Sequence, residues 1–170
     1  MDLLPEILNR YSVHQFREGS MDPEALQRIL EAGRLAPSAK NRQPWRFVVV
    51  QDAELRRKFQ EAAYNEPGVG QASAIIAVCS TNIDYRMPNG QLSYPIDLAM
   101  SAAFMGLQAV REGFGTCINT TFNEDEIRDL LTVPYSMRVV LLLLVGFPGE
   151  TMTMEHSRLP LGRLVSYEHW

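Results

Sequence analysis

Residues 138–147 read Arg-Val-Val-Leu-Leu-Leu-Leu-Val-Gly-Phe, and from Val139 to Val145 no polar side chain interrupts the run. Seven aliphatic residues are far too few to cross a bilayer as a helix. The run predicts a central strand covered on both faces, since a strand exposed on one side would alternate apolar with polar residues. A layered domain follows, with a sheet at its middle.

The remaining periodicities supply the layers. Residues 3 to 9 read as a short helix. Asp22, Pro23 and Glu24 give a capping residue and a proline at the first helical position, and Leu26, Ile29, Leu30 and Gly33 keep one apolar face as far as Leu35. Phe47–Val50 and Ala74–Cys79 read as buried strands. A helix is predicted over Ala53–Ala63, and the longest one runs from Pro95 through Gly113. Its Ala99, Ala102, Ala103, Gly106 and Ala109 permit close packing in the middle of a domain or at a dimer interface. Asn123 and Glu126 form a capping box for one more helix. Helices alternate with strands without strict βαβ spacing, which predicts an α+β or α/β sandwich in one domain over residues 1–170.

The formal net charge of -4 gives polyanions no general reason to bind, so neither nucleic acid nor an anionic membrane is an expected partner. The N-terminal stretch has no basic lead into an apolar segment, and a cytoplasmic protein is expected. Cys79 and Cys117 sit in no metal-binding spacing; both are expected reduced, and neither as nucleophile or metal ligand.

Four polar segments are candidates for chemistry. In Arg10 to Phe16, an extended backbone would point Arg10, Ser12 and His14 the same way, making an anion pocket; an ordinary solvated loop is the competing reading. Pro37 stops a helix, and Ser38, Asn41, Gln43 and Pro44 then crowd a turn leading to Trp45, which suits either a ligand's polar edge or a plain helix-to-strand connection. Glu112 to Thr121 places two glycines and small polar residues after the long helix, either freeing amides for a ligand or simply linking two elements. His156 and Arg158 could add a second phosphate-binding cluster or belong to a charged tail.

Taken together, RYSVHQF, APSAKNRQPWRF, GFGTC, VVLLLLVGFP and SRLP resemble the nitroreductase family of flavoproteins, in family order and over nearly the whole chain. The resemblance implies an α+β fold with a central mixed sheet flanked by helices, an obligate homodimer, and FMN at the subunit interface. It implies that Arg10, Ser12 and His14, with Arg158 and His156, hold the phosphate, and that Tyr11 belongs to the same cofactor-binding stretch. Pro37, Ser38, Ala39 and Asn41 would reach the flavin from the other subunit, with Trp45 anchoring their turn in the core. Asn65 would meet the pyrimidine edge, and main chain from Ile118 through Thr120 to Thr121 would face N5. NADH or NADPH would be the transient donor in a ping-pong cycle, and a small planar electron-poor acceptor, such as a nitroaromatic, a quinone or a flavin, would follow it into the same pocket. No catalytic side chain and no metal ligand is expected, because the cofactor carries the redox chemistry.

Gly68 stands where many members carry a lysine that stabilises reduced flavin, so a flavin harder to reduce is expected. His14 replaces the usual Arg or Lys with a residue that holds its charge less securely at neutral pH. Only residues 82–94 separate the second strand from the long helix, so the helical roof of larger members is expected to be reduced and bulky planar substrates to be accepted. Two other readings stay open: a flavin store or sensor without turnover, and a specialised relative acting as a reductive dehalogenase or flavin-destructive enzyme.

Overall fold

The computed structural model describes residues 3–149 and 158–170. The order of elements is α1 (Pro5–Asn9), β1 (Phe16–Arg17), α2 (Pro23–Arg34), a 3-10 turn at Ala39–Asn41, β2 (Trp45–Val50), α3 (Ala53–Ala62), α4 (Pro67–Gln71), β3 (Ala74–Ser80), α5 (Tyr94–Arg111), β4 (Gly115–Asn119), α6 (Glu124–Leu131) and β5 (Arg138–Pro148). A second 3-10 turn covers Leu161–Arg163.

The aliphatic run is the sheet's organising strand. β5 pairs with β3 along one edge and with β4 and then β1 along the other, while β2 extends the sheet beyond β3. All four ladders are antiparallel, and the parallel component expected of a mixed sheet is a single bridge between Ser12 and Thr116.

Both faces of β5 are covered, as its composition requires. Leu141, Leu143 and Val145 join Ile76 and Val78 against Ile29 of α2 and Leu98, Ala102 and Met105 of α5. Leu142 and Leu144 face the opposite way, with Ile75, Ala77, Phe59 of α3, Val69 of α4 and Ile127 of α6. Val139 shares that second face despite its odd number. The register shifts where Val78 pairs with Leu141 and Cys79 with Val139, so Val140 is an extra residue that resets the alternation.

Local chemistry sets the helix boundaries. The Asp22 carboxylate accepts from the Glu24 and Ala25 amides, and Asp52 accepts from Leu55. Asn123 accepts from the Asp125 and Glu126 amides as the predicted cap, but the box is not closed in its usual way: the Asn123 side chain donates to the Glu126 carboxylate at 2.7 Å, and its backbone N–H donates to the Ala62 carbonyl at 2.8 Å. α2 lies against α5 where a Cβ on Gly33 would stand 2.7 Å from Met105 Cγ, and the Ser101 hydroxyl donates to the Gly33 carbonyl at 3.0 Å. Small residues thus bring these two backbones together.

Candidate functional site

The segment after α5 was read either as a turn freeing amides for a ligand or as a plain link between two elements, and residues 115–119 of it are strand β4, paired with Gly146 to Leu142 of β5. Half of the expectation survives through strand geometry. The Val13 N–H donates to the Thr116 carbonyl at 2.9 Å, so residue 116 faces away from β5. Antiparallel residues alternate in this respect, which turns the Ile118 N–H and C=O to the same open edge. Ile118 is half exposed there.

A cavity of about 280 Å³ opens on that edge. His14, Tyr64, Glu66, Gly68, Ile118, Thr120 and Thr121 line it, with Val13 and Leu144 as apolar floor. The Arg10–Phe16 stretch reaches it in the predicted extended form: Val13 is buried, Tyr11 packs on the core, and Ser12 and His14 are exposed. Beyond β4 the chain bends where the Asn119 side chain accepts from the Thr121 amide at 2.8 Å.

On the far wall, Tyr64 and Asn65 have φ of 54° and 62°, closing α3 in a left-handed turn that the Gln60 carbonyl holds by accepting from the Asn65 N–H at 2.8 Å. Asn65 itself is exposed, and its neighbours Tyr64 and Glu66 line the cavity. Gly68 follows on α4, where a Cβ would stand 2.8 Å from the His14 carbonyl oxygen. A lysine at 68 would therefore require the two segments to separate, which gives this glycine a packing cause.

Pro37, Ser38, Ala39 and Asn41 form a separate unit, and none of them lines this cavity. The Ser38 hydroxyl accepts from the Gln43 amide at 2.9 Å, and the Gln43 side chain donates to Asn41 Oδ1 at 3.1 Å. Lys40, Asn41 and Gln43 all have positive φ, of 51°, 52° and 50°. Three non-glycine residues in the left-handed region within four positions mark a turn held by its surroundings. Trp45 behind it is core, as expected. Arg158 is exposed, and His156 lies outside the described residues.

The structure thus brings His14, Ile118 and Thr120 to one cavity, and Ser12, bridged to Thr116 of β4, does not line it. Sequence reasoning missed Tyr64 and Glu66, which carry no pattern of their own. It also missed Asp97, buried in the first turn of α5 beneath the Ala39 turn. A lone acid in an otherwise apolar helix start was the available signal.

Both cysteines are free. Burial pushes the Cys117 thiol up, aided by the nearby Glu66 charge, and burial pushes Cys79 up to about 11 with help from Glu124. Neither environment favours a thiolate. Among the described residues no group of three or more His, Cys, Asp or Glu could hold a metal ion, and no helix is long and apolar enough to cross a membrane.

Comparison with known proteins places this architecture among the oxidoreductases. The chain is 28% identical over 196 aligned positions to the NADH dehydrogenase of Thermus thermophilus, covering 97% of this chain and 95% of that one. A nitroreductase family protein from Clostridium difficile superimposes with a TM-score of 0.87 at 29% identity over the whole of both chains. An FMN-dependent nitroreductase from the same species shares the fold, with a TM-score of 0.83 at 22% identity over 97% of this chain and 98% of that one. The sequence pattern of the nitroreductase family matches residues 7–72 and 63–147, and the chain belongs to that family.

Proposed function

We propose that this protein is an FMN-dependent NAD(P)H oxidoreductase acting on nitroaromatic, quinone or flavin-type acceptors. The observation that carries this reading is the open edge of β4, where Ile118 presents an unladdered N–H to a cavity shared with His14 and Thr120. The residues present fit a flavin mononucleotide. A donor edge, threonine hydroxyls and an apolar floor stand at one cavity, and the cationic Arg10–His14 stretch adjoins it.

Bound FMN would supply the electron transfer between donor and acceptor, and the protein supplies position and electrostatics. Arg10 and His14 offer positive charge, and Ser12 a hydroxyl, to the phosphate. Arg158 and His156 belong to the same role by family position. The Ile118 N–H donates to the ring's edge, with Tyr11, Thr120 and Asn65 around it. Pro37, Ser38, Ala39 and Asn41 serve the flavin of a partner subunit, which agrees with their separation from this chain's own cavity.

A homodimer accounts for the apolar surface left open. Leu4 at the cap of α1, Ile7 and Leu8 within it, Ile96 and Phe104 of α5, and Leu161, Leu164 and Trp170 of the C-terminal stretch are all exposed. A cytoplasmic setting suits two free thiols and a supply of reduced nicotinamide. Residues 81–93 contain no helix, only a small turn bridged between Arg86 and Leu92, so the roof of the site is low and bulky planar acceptors should enter.

Anaerobic titration tests the whole reading. Yellow protein bleached by NADH or NADPH and recoloured by a quinone is the expected result. Colourless protein that ignores added FMN refutes the proposal, and yellow protein inert to both nicotinamides makes it a flavin store or sensor instead. Rates that collapse for large quinones relative to small ones would refute the open roof.

A further inference from the structure

Asp97 is 1% exposed and sits in the first turn of α5. Its Oδ1 accepts from the Ala39 N–H at 2.8 Å, across 58 residues of sequence. Its Oδ2 is buried and has no hydrogen-bond partner among the described residues. A buried carboxylate is costly unless its surroundings compensate it, and here one amide and the amino end of α5 do so.

The turn above it keeps its shape only while its surroundings hold it. Lys40, Asn41 and Gln43 hold left-handed backbones that side chains disfavour, and most of the turn's hydrogen bonds run within it. Tyr85 packs over it, with the Arg42 guanidinium 3.9 Å from the ring centroid and Lys40 at 5.7 Å. Thr81 fixes its exit by donating to the Pro44 carbonyl. Asp97 is the group that reaches Ala39, in the middle of the turn, from the rigid core.

We propose that Asp97 is a positioning residue: its carboxylate pins the Ala39 amide to α5 and so locks the Pro37–Asn41 clamp in the shape that grips the cofactor. What the clamp grips rests on the proposed function; that Asp97 shapes it does not. Because α5 also carries exposed Ile96 and Phe104, the tether makes clamp geometry depend on the helix at the candidate subunit contact.

Three variants of the full-length protein, each checked for cooperative thermal unfolding, test this. D97N keeps an acceptor oxygen for Ala39 and should retain FMN almost as the wild type does. D97A removes the acceptor and should raise the FMN dissociation constant about tenfold, with faster hydrogen exchange at the Ala39 amide. A39P deletes the donor at the first position of a 3-10 turn, where proline is accommodated, and should match D97A. Unchanged FMN binding and continued protection of Ala39 in D97A overturns the inference, as does a D97N variant as impaired as D97A. If the wild type itself binds no FMN, the cofactor reading fails, and exchange at Ala39 alone decides the tether: protection lost in D97A upholds it, protection kept overturns it.

Discussion

Gly68 and the His14 carbonyl meet so closely that a Cβ at position 68 would stand 2.8 Å from the oxygen. One wall of the cavity, α4, is thus seated directly on the backbone of the stretch that carries its candidate phosphate-binding residues.

Gly68→Ala should therefore destabilise the fold, by about 1 to 3 kcal/mol for an overpacked contact against backbone. Denaturant unfolding measures it. Gly68→Lys, which restores the residue common in the family, should weaken FMN retention, and a tighter flavin complex in that variant would contradict the packing account.

Ile118→Pro removes the one N–H that β4 turns toward the cavity. The ladder to β5 keeps its bonds, because residue 118 faces the open edge, where proline is tolerated in strands. Reduction of bound flavin by NAD(P)H should slow about tenfold, the effect of losing one hydrogen bond to a group that gains charge, with the thermal midpoint little changed. Stopped-flow absorbance in the flavin band gives the rate.

Glu124 ties α6 to β5. Burial raises its carboxyl, but hydrogen bonds from Arg138 and the Val139 amide, with the charges of Arg138 and Arg128, outweigh burial and hold it below its ordinary value of 4.5. The unfolded chain then binds a proton more readily, so this contribution is complete above the ordinary value and drains as pH falls through the lower folded one. Glu124→Gln should cost about 2 kcal/mol at neutral pH and flatten the acid limb of stability below about pH 5. A variant that loses stability in acid as steeply as the wild type would contradict the assignment.

Arg158→Ala should raise the FMN dissociation constant at least about tenfold, the usual effect of deleting one charge-assisted contact. Fluorescence titration of the apoprotein measures it, and an unchanged constant removes Arg158 from the site.

Long apolar patterns made most of the fold legible. β3 and β5 announced themselves because strands covered on both faces carry nothing else, and α2 and α6 because Asp22 and Asn123 cap them; the Asp52 cap of α3 was not read. β4 was invisible: Gly115, Thr116 and Asn119 have no strand pattern, and the segment is a strand because Gly146 to Leu142 of β5 present a ladder to it. α4 was missed for a similar reason, as five residues with two glycines form a helix only where tertiary packing seats them. β2 began two residues before its predicted start because Trp45 already pairs with Ser80. At the cavity, RYSVHQF pointed to Val13 and His14, whereas no residue of APSAKNRQPWRF lines it, and Tyr64 and Glu66 reach it through a left-handed turn that no periodicity encodes.

Three strands lean on β5, and all three precede it in the chain. During synthesis, β1, β3 and β4 all emerge ahead of the partner they need. Assembly of the sheet is thus deferred until β5 has been made, and a nascent polypeptide halted before Arg138 has no floor on which to build a ligand pocket.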